Sequence, residues 1–275
     1  MLRSTLLLGW LAVLTAGIGR GDDAVGAGGG GGSASSGATG NTTGSSELTS
    51  ATGSTSSSTG SGGDDLAALS DTFDGATLDA SWSVFNDAAL DATVSGGALH
   101  LELTSAALWF QASQGTLVHK SITGDFRVTA TVHARKTSAP AEPPDATIHL
   151  GGLMARDPAS DAGMENYVFI VVGFDENDVS VETKSTTNDT SDYIGPTWPS
   201  TEAELRLCRV GSSFHLYKRP VGGATWQEAI VYDRPDLPAT LQVGPNAYSL
   251  TTPDLTVDVD EVTFARVSTV ADCTL

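Results

Sequence analysis

The stretch DFRVTATVHAR, Asp125–Arg135, decides the fold. Phe126, Val128, Ala130, Val132 and Ala134 alternate with Arg127, Thr129, Thr131, His133 and Arg135, so apolar and polar side chains leave an extended chain on opposite sides. That is a half-buried antiparallel strand. Working outward, GALHLELT repeats the pattern with Leu99, Leu101 and Leu103 against His100 and Glu102. HLGGLMAR and NYVFIVVGF are apolar throughout, as central strands covered on both faces are. VSVETKST, AELRLCRV, SFHLYKR, TWQEAIVY, ATLQVG and LTVDVDEVTFARV complete the set, separated by TSAPAEPPDA, DENDV, IGPTWPST, PVGGAT and GPNAY. No stretch carries a helical period. About a dozen short strands in one domain predict an all-β, two-sheet antiparallel sandwich of the jelly-roll kind.

The ends of the chain read differently. Residues 1–20, MLRSTLLLGWLAVLTAGIGR, have one early positive charge and an apolar run of about 13 residues ending in small ones, a secretory signal peptide too short to span a bilayer. Residues 21–70 are dominated by Gly, Ser and Thr with no aromatic side chain, a disordered linker that cannot bury enough apolar surface to order itself. The sandwich is therefore expected over 71–275, secreted or at a bacterial cell surface, with no membrane anchor once the leader is removed. It opens at DTFDGATLDASWSVFN, where Phe73, Leu78, Trp82, Val84 and Phe85 begin the core among Asp71, Asp74 and Asp79. The formal charge of −19 disfavours nucleic acid and anionic membranes as partners. Cys208 and Cys273 are the only cysteines, and a disulfide between them is open in a secreted chain; neither has the surroundings of a catalytic thiol.

Several motifs in order resemble a known superfamily: FDGATLDASW at Phe73–Trp82, VSGGALHL at Val94–Leu101, ITGDFRVTATV at Ile122–Val132, GGLMARD at Gly151–Asp157, AELRLCRVGSSFHLY at Ala203–Tyr217, TW at Thr225–Trp226, LQVG at Leu241–Gly244 and VDVDEVTF at Val257–Phe264. Together they look like the concanavalin A-like lectin/glucanase superfamily, and within it the bacterial domains that also accompany beta-xylosidases. The resemblance implies the fold; glycosidases, lectins and accessory domains all share it, so it leaves the function open.

Glycoside hydrolysis needs two carboxylates across the scissile bond. The E-x-D-x-E run of the superfamily's glucanases does not occur; DENDVSVE (Asp175–Glu182) and DVDE (Asp258–Glu261) come nearest and lack the spacing. His100, His119, His133, His149 and His215 show no zinc spacing and read as solvent-side strand residues. A structural calcium ion is a candidate cofactor: Asp258 and Asp260 project to one face, and the apolar phase slips by one between Val259 and Val262, which predicts a β-bulge there. The resemblance places the first strand beside the last, bringing Asp71 near Asp260.

For a sugar ligand the candidates are Trp198 and Tyr193 around the loop IGPTWPST, Arg156 at the mouth of its strand, and Trp109, whose neighbour Phe110 faces the other way on an extended chain. Trp198 has a second reading, as a cover for the end of the sandwich. Trp82 and Trp226 read as core and hairpin packing. The sequence thus points to a secreted, non-catalytic binding module for carbohydrate or another extracellular ligand. The alternative is a surface or matrix domain acting by protein contact, with glycoside hydrolysis third.

Overall fold

The computed structural model describes residues 66–275 apart from 146, 177 and 252. The expected leader, and the expected linker up to residue 65, lie outside the described residues. Leu66–Ser70, expected as linker, belong to the sandwich instead. Leu66–Leu69 form a 3₁₀ turn with Leu66 in the core, Lys120 donates to the Leu69 carbonyl at 2.8 Å, and the Phe264 N–H donates to Ser70 Oγ at 2.9 Å. Among the described residues no helix is long and apolar enough to cross a membrane.

Two seven-stranded antiparallel sheets face each other. The back sheet runs β12 (Gln227–Asp233), β11 (Ser213–Arg219), β10 (Glu202–Val210), β5 (Phe126–Arg135), β14 (Thr256–Arg266), β3 (Ala98–Leu103) and β2 (Leu90–Ser95). The front sheet runs β1 (Ser83–Phe85), β4 (Thr116–Thr123), β13 (Thr240–Ser249), β6 (His149–Arg156), β7 (Tyr167–Asp175), β8 (Asp178–Thr187) and β9 (Thr190–Ile194). Strand β5 alternates buried and half-buried residues along its whole length, as its sequence requires. The Gly96-Gly97 pair turns β2 into β3 with φ of 61° and 81°, the left-handed geometry of a two-residue hairpin.

The predicted bulge is present. The register of β14 against β5 shifts between Val259 and Val262, and this keeps Val257, Val259, Val262 and Phe264 all buried across the phase slip. Asp71 exchanges backbone hydrogen bonds with Val262 at 2.9 Å each way, so the start of the domain does lie against its last strand. Strand β13 extends beyond its expected end at Gly244, through Pro245 to Ser249. Its ladder to β4 registers at 240–243 and 246–247 and skips Gly244 and Pro245, so the N–H that proline lacks is not needed there. At Gly244 a side chain would collide with the Val118 carbonyl, which explains the glycine.

Strands β6 and β7 are buried on both sides. Their inner face meets the back sheet through Leu153, Ala155, Val168, Ile170 and Val172. Their outer face is covered as well, by the segment 104–115 that joins β3 to β4, and a second apolar cluster forms there around Trp109, Leu117, Met154, Tyr167, Phe169 and Tyr248.

Candidate functional site

The outer face of the front sheet is where chemistry-bearing residues collect. Arg156 on β6 lies over the Phe85 ring at 4.1 Å. Aromatic contacts then run in a row, Phe85 to Trp109 at 5.7 Å, Trp109 to Tyr167 at 5.4 Å, Tyr167 to Phe169 at 5.6 Å and Phe169 to Tyr248 at 5.6 Å. Period two brings Tyr167 and Phe169 of β7, Glu182 and Lys184 of β8, and Asn246 and Tyr248 of β13 onto this one face.

At the β8 end the face becomes polar. Glu182 is buried, with Lys184 Nζ 3.5 Å from its Oε1. Burial pushes its carboxyl up to about 7, opposed by the Lys184 charge and reinforced by Asp175. Burial and the nearby Glu176 also raise Asp175. Gly195 closes over this pair: a methyl group there would sit 3.0 Å from Asp175 Oδ2, 3.6 Å from Ser180 Oγ and 3.9 Å from Glu182 Cβ. Lys184 Nζ donates to the Trp109 carbonyl at 3.2 Å and lies 5.7 Å from the Tyr193 ring and 6.0 Å from the Phe110 ring. Both rings are open to solvent, Tyr193 at 52% and Phe110 at 44%.

The four residues expected to meet a sugar fare differently. Tyr193 is exposed on this rim. Trp109 is on the same face but wholly buried, which corrects its reading as a surface ring; Phe110 points outward in its place. Arg156 is buried and fully used. It holds Glu165 through Nε and Nη2 at 2.8 Å each, Gln242 Oε1 at 2.7 Å and the Ser160 carbonyl at 2.7 Å, so it organises the face from below and does not reach a ligand. Trp198 is elsewhere: its indole donates to the Glu202 carbonyl at 3.1 Å, lies under Lys218 and joins the inter-sheet core, so it covers the end of the sandwich. Trp82 is core, and Trp226 is stacked between Arg206 at 4.0 Å and Arg219 at 4.2 Å.

Three of the histidines also depart from expectation, since His119, His149 and His215 are buried. Burial, with Arg156 nearby, lowers His119 to about 4. The signals missed in the sequence were Phe110, Lys184 and Glu182. The last two share a period-two phase in VSVETKST, where a buried acid and a buried lysine two apart mark a covered polar face.

The residues proposed for calcium do not fit the ion. Asp71 spends both carboxylate oxygens on the Phe73 N–H at 2.9 Å and the Trp82 indole at 2.8 Å. Asp258 holds His100 at 2.7 Å and Arg135 at 2.6 Å, and Asp260 holds His133 at 3.0 Å. Three carboxylates facing three separate partners leave no shared oxygen cage, and among the described residues no group of three or more His, Cys, Asp or Glu is placed to hold a metal. Cys208 and Cys273 are joined by a disulfide with Cα atoms 5.7 Å apart.

No family model matches the sequence, and no curated protein does. Solved structures do match. A functionally unknown protein from Saccharomyces cerevisiae superposes with a TM-score of 0.58 at 14% identity, over 69% of this chain and 98% of that one. A xylan beta-1,4-xylosidase from Bacillus halodurans C-125 gives 0.56 at 16% identity, over 72% of this chain. The GH43 protein BlXynB from Bacillus licheniformis gives 0.54 at 13%. The fold is a concanavalin A-like jelly roll. This chain spans 39% of the length of either Bacillus enzyme, and at such identities a concanavalin A-like likeness is one of fold alone.

Proposed function

We propose that this chain is a secreted, non-catalytic β-sandwich module that binds glycan on the outer face of the front sheet, at the rim of Phe110 and Tyr193. The observation that supports it most is the pair of solvent-open rings either side of the Lys184 ammonium, above a carboxylate at Asp175. Flat apolar rings take the apolar side of a sugar, and flanking charged groups take its hydroxyls. Exposing two large aromatic rings together has a cost in water that contact with a ligand would remove.

The test is calorimetry and pull-down with soluble and insoluble polysaccharides, xylan fragments included because one of the similar structures is a xylan beta-1,4-xylosidase. Phe110→Ala and Tyr193→Ala are each expected to weaken binding about tenfold, or about 1.4 kcal/mol, with the melting temperature unchanged. Empty pull-downs and an empty glycan array would remove this reading. A partner cross-linked at the cell surface that persists in excess sugar would move the rim to protein contact instead.

One observation favours glycoside hydrolysis as a second reading. Glu182 is a carboxyl held protonated up to about pH 7, as a general acid must be, with Asp175 beside it. It is 3% exposed and has an ammonium as its neighbour, which places it in the foundation of the face. Turnover of aryl glycosides that disappears in Glu182→Gln would establish the enzyme.

A further inference from the structure

We infer that Trp109 is a built-in plug: its indole fills a slot on the outer face of the front sheet that receives a pyranose ring when the segment 104–115 lifts away. This rests on the glycan reading and adds the site's own regulation to it.

The slot is shaped for a flat ring. Phe85 stacks on the indole at 5.7 Å with the planes 18° apart, Tyr167 tilts against it at 59°, and Leu117 and Met154 belong to the same cluster. Gly115 lies against the indole so closely that a methyl group there would collide with it. Trp109 supplies volume but only one polar hydrogen, whereas the outer face that carries it holds buried polar atoms with no hydrogen-bond partner in the protein: Asn246 Oδ1 and Nδ2 and His119 Nδ1, along with the Trp109 Nε1 itself. Asn246 stands directly opposite Leu117 in the ladder, one strand away from Trp109's own packing partner. A segment that served only to seal an apolar face would leave no such set, because a buried polar group that has lost its water and found no partner is unfavourable. A polyhydroxylated ring can both donate to and accept from them.

The cover is attached for release. Residues 104–115 contain no strand; Ala107 and Ser249 exchange backbone hydrogen bonds at 3.1 and 2.7 Å, Asn86 holds the Gln114 carbonyl at 2.9 Å, and the Trp109 carbonyl takes donors from Tyr167 at 3.0 Å and Lys184 at 3.2 Å. Gln111, at the tip, is held in the left-handed region at φ 52°. Phe110, one residue from the plug, is half of the exposed rim, so a glycan that grips the rim pulls on the residue joined to the indole.

Three variants of the full chain decide it, each titrated with cellohexaose and xylohexaose by calorimetry. Trp109→Ala empties the slot, Gly115→Ala expels the indole without deleting it, and Ala107→Cys with Ser249→Cys locks the segment down. The first two are expected to bind at least tenfold more tightly than wild type, and the oxidised lock at least tenfold more weakly than either single-cysteine control. If wild type binds but Gly115→Ala and the lock match it, the plug is refuted while the rim stands. If no variant binds either hexaose, both readings fall. Should Trp109→Ala lose its melting transition, the other two decide the matter alone.

Discussion

Glu182 and His119 occupy the same buried face and titrate in opposite senses. Glu182 is raised from 4.5 to about 7, chiefly by burial, so the stability tied to its proton is complete below pH 4.5 and is lost as pH rises through 7. His119 is lowered from 6.5 to about 4, again chiefly by burial, so its share is complete above pH 6.5 and is lost as pH falls through 4. Each amounts to roughly 3 kcal/mol, and over pH 4.5–6.5 they cancel. Taken together these two groups leave the urea midpoint nearly level across that range, and the single variants separate them. Glu182→Gln should gain stability as pH rises from 4 to 6.5, and His119→Asn should lose it from 4.5 to 7. Parallel profiles for wild type and Glu182→Gln would contradict the assignment. Neither shift was legible in the sequence, because each depends on burial that only the fold supplies, as where Gly195 closes over Glu182.

The C-terminal 3₁₀ turn, Val270–Thr274, is fastened to the back sheet by the Cys208–Cys273 disulfide, by Arg206 on the Cys273 carbonyl at 2.7 Å, and by Arg127 on the Asp272 and Leu275 carbonyls at 2.6 and 2.9 Å. Closing a loop across 65 residues is worth about 4 kcal/mol in the chain-entropy account. Replacing both cysteines by serine should lower the denaturant midpoint by that order. A midpoint unchanged from wild type would show that the arginines hold the turn unaided. At this scale the sequence is most readable: β5, β6, β7 and the bulge of β14 follow from the spacing of Val, Leu, Phe and Ala. It is least readable where a strand breaks its own rules, as β13 does by running through Pro245, and where pairing of two cysteines depends on a distance that only the fold supplies. Trp198 between two prolines reads equally well as a loop ring or as a cover, and packing against Lys218 and the core decides for the cover.

The three acids read as calcium ligands serve as local caps and ion-pair partners. Asp71, Asp258 and Asp260 each answer a neighbouring donor, so removing divalent cations with EDTA should leave the melting temperature where it was. A fall of several degrees would reinstate the ion. The proposed rim was half legible, since Tyr193 could be picked out as a loop aromatic while Phe110 and Lys184 become partners only when β8 and the segment 104–115 meet. One further property follows from β7. The run YVFIVVGF has no charged side chain, is rich in β-formers and lacks proline, which makes it the kind of segment that stacks with copies of itself into cross-β fibrils whenever the chain is unfolded. Asp175, Glu176 and Asp178 follow it directly, so neighbouring copies in register would bring three like charges against three, and these acids act as gatekeepers against aggregation before the sandwich has formed.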